Sequence, residues 1–128
     1  MRSIYGFGTF LKQSVTGVML LFGVSSMALA HHSAALYDFS KSVPVTGVVK
    51  LMTVANPHIK LILTITDDQG AARDITYEGH SRNNVYRRGW RPDMVKEGDK
   101  ITINFAPQKN GEDGGYVQSF TLQDGRQF

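Results

Sequence analysis

The chain has 128 residues, enough for one small domain, with 14 basic and 11 acidic residues and a formal charge of +3. It has no cysteine, which excludes disulfides and thiol chemistry and leaves stability to a hydrophobic core of modest size. Arg2 and Lys12 precede a mostly apolar stretch at residues 15–24, and Ala28-Leu29-Ala30 has the small-x-small form cleaved by signal peptidase, so residues 1–30 read as a signal peptide.

The apolar run falls short of the about 20 residues that cross a bilayer. No stable membrane anchor is therefore expected after cleavage, and the protein is expected in the periplasm or secreted. Both basic residues of the leader go with it, leaving twelve bases against eleven acids, a formal +1. So small an excess makes no electrostatic case for nucleic acid or an anionic membrane.

Residues 31–42 read as an N-terminal arm. His31-His32-Ser33 opens it, and Tyr37 or Phe39 is expected to pack onto the body. Residues 43–128 form the domain proper. Its first strand is expected over residues 43–54, with Val45, Val49 and Leu51 facing inward and Gly47 marking a bulge or bend. Asn56-Pro57 then interrupts pairing, because proline lacks an N–H and restricts the residue before it.

The central hairpin follows. Ile59, Leu61, Leu63 and Ile65 alternate with Lys60, Ile62, Thr64 and Thr66, the period of a strand with one buried face. After Asp68-Gln69-Gly70, Ile75 and Tyr77 alternate with Asp74, Thr76 and Glu78. A three-residue turn closed by Gly70 in the left-handed region keeps the two apolar sets in phase. The resulting register sets Leu61 against Tyr77, Leu63 against Ile75, Lys60 against Glu78 as an ion pair, and His58 against His80.

Beyond His80 the period changes. Ser81 caps a helix expected over residues 82–88, Gly89 stops it, and Trp90 folds back onto Val85. Ile101, Ile103 and Phe105 mark a fourth strand, residues 107–115 a polar glycine-rich hairpin loop, and residues 116–122 a fifth strand with Phe120 and Leu122 inward. Asp124-Gly125 turns the tail. Five strands with a helix between the third and fourth is the order of an OB-like, partly open β-barrel plugged at one end by the helix. An open sandwich of the same strands is the alternative.

His31-His32-Ser33, Tyr37-Asp38, Thr46-Gly47, Asn56-Pro57-His58, Gly89-Trp90, Gly98-Asp99 and Leu122-Gln123-Asp124-Gly125 together resemble an uncharacterised family of small exported bacterial proteins, a domain of unknown function. The resemblance spans essentially the whole chain after residue 30. It implies a periplasmic or secreted domain with a histidine pair at the mature N-terminus and an Asn-Pro-His corner. No activity, and so no catalytic residue, comes with it. His80 stands where the family pattern has a glycine or small residue, and Val54-Ala55 where an aromatic often precedes Asn56.

All four histidines survive cleavage. His31 would offer its amine and imidazole as a chelate, with His32 beside it, while His58 and His80, with Cβ atoms about 5 Å apart if directly paired, would complete a site suited to Cu(II) or Zn(II). Against this, a histidine pair after a leader is commonly an exposed terminus, and His58 can serve simply to end a strand. Arg82, Arg87, Arg88 and Arg91 form a candidate surface for an anion or an acidic partner, although cations at a helix end also answer its dipole. The outer face of strands two and three carries no aromatic platform, so nucleic acid is not expected. Nor is there a nucleophile elbow, a Cys-His pair or a phosphate loop, so no enzyme is expected. Two readings follow: a non-catalytic binding or accessory module for an unidentified protein or small molecule, and a copper- or zinc-binding protein.

Overall fold

Alternating strands, a glycine-stopped helix and two further strands arrange themselves in the expected order: β1 (Val43–Thr53), β2 (Ile59–Thr66), β3 (Ala72–Gly79), α1 (Arg82–Arg87), β4 (Lys100–Pro107) and β5 (Gly115–Thr121). The structure is a computed structural model and describes Ala35–Phe128. The leader read at residues 1–30, and His31 and His32, lie outside the described residues. Strands pair in the order β1-β2-β3-β5-β4, and β1 pairs back to β4, closing an OB-like barrel rather than an open sandwich. Four ladders are antiparallel. The fifth, between β3 and β5, is parallel and consists of Tyr77↔Gly115, Glu78↔Tyr116 and Gly79↔Val117. The expected opening in the wall thus amounts to one short seam.

The central hairpin has the register its alternation predicts: Lys60↔Glu78, Leu61↔Tyr77 and Leu63↔Ile75. Gly70 adopts φ +83° in the turn, and the Asp67 carboxylate accepts the amides of Gln69 and Ala71, both at 2.9 Å. Leu61 and Leu63 are sealed inside the barrel, each such side chain contributing about 1.5–3 kcal/mol of apolar burial. The ladder ends at Ile59↔Gly79, one pair before the two histidines, though Ile59 N–H still donates to the His80 carbonyl at 3.1 Å.

β1 departs from expectation. Val49 is buried and Val45 half-buried, but Leu51 is exposed. The register slips between Val49 and Leu51, so Lys50 is an extra residue on this strand, and one extra residue turns the following side chains over. Met52 and Val54 pack against the core instead. Gly47 does not make the bulge. A Cβ there would overlap the Ile65 side chain, so the glycine allows β1 to lie close to β2.

Ser81 caps α1 by accepting the Asn84 amide. At the other end Gly89 has φ +96°, its amide donates to Tyr86 O at 3.1 Å, and the Trp90 amide donates to Val85 O at 3.1 Å. These two bonds are the glycine-stop motif that the sequence predicts. Trp90 is accordingly buried with Val85, with its ring stacked on Tyr86 at 5.8 Å. The tail returns along β5, where Phe120 and Phe128 exchange backbone hydrogen bonds of 2.9 Å and stack at 5.4 Å.

Candidate functional site

The parallel seam decides what surrounds the histidines. Because Tyr116 is the Cα partner of Glu78, β5 brings an aromatic ring to the end of the β2–β3 hairpin. Both imidazoles meet that ring edge to face, His80 at 5.3 Å and His58 at 6.2 Å between centroids. The Tyr116 hydroxyl and His80 Nδ1 share a hydrogen bond of 3.3 Å. His58 Nδ1 lies 3.1 Å from the Gly79 carbonyl. A carbonyl oxygen only accepts, so His58 donates from Nδ1, and in its neutral form the ring keeps its electron pair at Nε2.

The arm completes the cluster. Tyr37 and Phe39 both pack on Tyr116, at 5.6 and 5.2 Å, and the arm is tied to the end of β4 by Asp38 N–H to Pro107 O (2.8 Å) and to the loop after it by Lys109 N–H to Leu36 O (2.9 Å). The outer face of β2 and β3 lacks aromatics of its own, as the sequence indicates, yet the arm and β5 deliver three to its edge. The Tyr37 hydroxyl donates to Glu78 Oε2 at 2.9 Å. The ion pair expected between Lys60 and Glu78 is not made, although the two residues are register partners. Tyr37 has taken the carboxylate instead.

Beside this cluster lies an open groove of about 460 Å³ on the outer β2–β3 face. It is lined by His58, Lys60, Thr76 and Glu78 of the hairpin, by Tyr37 from the arm and by Gln108 from the loop. Asp74 and Asp113 also line it, and each is ion-paired, Asp74 with Lys50 and Asp113 with Arg73 at 2.7 Å. Gln108 Nε2 donates to Asp113 O at 2.7 Å. Gly114 lets the loop approach β3 so closely, since a Cβ there would overlap the Thr76 carbonyl oxygen.

Burial, reinforced by the Glu78 hydrogen bond and charge, pushes the Tyr37 hydroxyl up to about 12. Burial followed by the Glu78 charge raises Tyr116 as well, so both phenols stay protonated. His80 is pushed the other way, below its usual 6.5, first by burial and then by the charges of Arg88 and His58.

The four arginines divide. Arg88 Nη1 donates to Gln118 O at 3.3 Å, and Arg91 Nη1 donates to Tyr86 O and Trp90 O while its guanidinium lies 5.4 Å over the Tyr86 ring. The side chains of Arg82 and Arg87 are exposed and enter no hydrogen bond or ion pair among the described residues. The expected direct pairing of His58 with His80 is not made, because the ladder ends at Ile59↔Gly79, and the two imidazoles instead each meet Tyr116. His31 and His32 lie outside the described residues. Tyr116, Gln108 and Asp113 are absent from the sequence reading of the site. The signal that could have found Tyr116 is topological: in a barrel of this strand order, the start of the fifth strand closes on the end of the third.

A small OB-like barrel with one short α-helix among the described residues, carrying a histidine–tyrosine cluster and an open groove on its outer β2–β3 face, is the class of domain these observations define. The chain belongs to a family of unknown function, DUF6152, whose profile matches residues 19–118. That range takes in the arm, both described histidines and Tyr116, and stops short of Leu122-Gln123-Asp124-Gly125. No curated protein matches the chain. Among the described residues no helix is long and apolar enough to cross a membrane.

Proposed function

We propose that this protein is an exported, non-catalytic binding or accessory module whose ligand occupies the groove on the outer β2–β3 face. The observation that carries the reading is the groove itself, about 460 Å³, a volume within the about 300–1,000 Å³ typical of small-molecule sites. Its carboxylates are engaged by Lys50, Tyr37 and Arg73, which favours fixed recognition over proton transfer. The test is an amide chemical-shift titration of the processed protein against a chemically mixed panel of small polar molecules. Binders should shift the amides of His58, Glu78 and Gln108 together. Binders that gather on another face, or a panel that never touches these amides, would overturn the reading.

Export rests on Ala28-Leu29-Ala30 after an apolar run with a basic start. N-terminal sequencing of the protein from its native cell should find His31 first. A start at Met1, or beyond Ser33, would remove this part of the reading.

A second reading, copper or zinc binding, has the His58 tautomer behind it. A metal-binding imidazole commonly donates its other N–H to a backbone carbonyl, which is what His58 does with Gly79. His80 stands near, across Tyr116. Among the described residues no three His, Asp or Glu side chains gather as a metal would need, so His31, with His32, would have to supply the remaining nitrogens. Copper titration should compare the processed protein, His58→Ala, and a form with one extra residue before His31. Losses of tenfold or more, about 1.4 kcal/mol, in both altered proteins support a shared site. Equal binding by all three sinks it.

A further inference from the structure

The ligand class follows from the groove's charge and its unused hydrogen-bonding atoms, and this step rests on the groove being the binding site. Charge comes first. Asp74 and Asp113 are neutralised by Lys50 and Arg73, and the remaining lining charges, Lys60 and Glu78, are opposite and adjacent in register. Lys50 and Arg73 stand outside the lining, but with them counted the charges at the groove cancel, so an ionic ligand would lose water for little compensating field.

Hydrogen bonding comes second. In the neutral ring His58 Nε2 is the acceptor, because Nδ1–H faces the Gly79 carbonyl. Glu78 Oε2 accepts from Tyr37 and leaves Oε1 open. Gln108 directs its Nε2 at Asp113 O, so its Oε1 remains an acceptor. The Thr76 hydroxyl both gives and accepts, and Lys60 donates. Acceptors dominate, so the matching ligand is rich in O–H donors and uncharged, with a C–H surface for the Tyr37 ring. We infer that the groove binds a neutral polyhydroxylated ligand, a saccharide of one or two rings, with His58, Glu78 and Gln108 accepting from its hydroxyls and Lys60 donating to one.

The test titrates the processed protein with cellobiose, maltose and chitobiose, beside spermidine as a cation and citrate as an anion, following amide shifts. At least one disaccharide should shift the His58, Glu78 and Gln108 amides with little dependence on salt. Thr76→Ala and Lys60→Gln, both at exposed positions outside the core, should weaken that binding fivefold or more while leaving the thermal midpoint unchanged. If spermidine or citrate shifts those amides and no disaccharide does, the ligand class is wrong although the groove remains the binding site. If the mixed panel binds in the groove and all five probes fail there, the class is wrong in the same way. Disaccharide shifts confined to another face, or indifferent to both substitutions, also overturn the inference. Failure of the groove itself shows separately, as a mixed panel that never shifts these amides.

Discussion

Tyr116 joins four other rings, those of Tyr37, Phe39, His58 and His80, at centroid distances of 5.2 to 6.2 Å. Replacing it by alanine should cost about 3 kcal/mol or more, read as a lower urea midpoint, and should release the arm, read as altered amide shifts at Tyr37 and Phe39. A loss under about 1 kcal/mol with those shifts unmoved would mean that the ring anchors nothing. His80 beside it makes a pH prediction. Its imidazole is held below 6.5 by burial, Arg88 and His58, so the unfolded chain takes up the proton first. The stability it contributes is whole above about pH 6.5 and is lost as the pH falls through its folded value. The urea midpoint should therefore decline as the pH falls below about 6.5, and His80→Gln should flatten the decline. Carboxylates lowered by their partners, Asp38, Asp74 and Asp124, act only nearer pH 4. An unchanged slope in the variant would assign the pH dependence to some other group.

β1 provides a paired test of a bulge, because Leu51 and Met52 exchange the roles that plain alternation would give them. Leu51→Ser should change stability by no more than about 0.5 kcal/mol, whereas Met52→Ser should cost about 2 kcal/mol. The reverse ranking would put Leu51 back in the core. The central hairpin was legible because its register depends on local signals: two period-two runs and a turn closed by Gly70. Lys50 carries no comparable mark. An extra residue in a strand has no composition of its own, and Gly47, which does stand out, serves close approach to β2. The same contrast divides the candidate site. His58 and His80 share a hairpin end, and alternation places both there, although the pairing stops one step short of them. Tyr37 reaches Glu78 across 41 positions and Tyr116 reaches His80 across 36, contacts that depend on barrel closure and leave no periodic trace.

Closure also determines which part of the chain is needed for the fold, and here the family profile and the barrel differ. The profile ends at residue 118, but Thr102↔Thr121, Ile103↔Phe120 and Asn104↔Ser119 are ladder pairs beyond that point. Past them, Leu122 and Phe128 belong to the same buried cluster as Val85 and Trp90. A chain ended at residue 118 would leave half of β4 unpaired on that side and Ile103 without its partner. It should show no cooperative urea transition. A chain ended at residue 125 keeps every pair between the five strands but loses the Thr121↔Gln127 bridge and Phe128 from its stack on Phe120, a large buried aromatic whose loss costs about 3 kcal/mol or more. That form should unfold cooperatively at a distinctly lower midpoint than the full chain. The fluorescence of the single tryptophan, buried in this cluster, reports both outcomes. Equal midpoints for the 125-residue form and the full chain would mean that the returning tail lies on the barrel without stabilising it, and that β5 alone completes the fold.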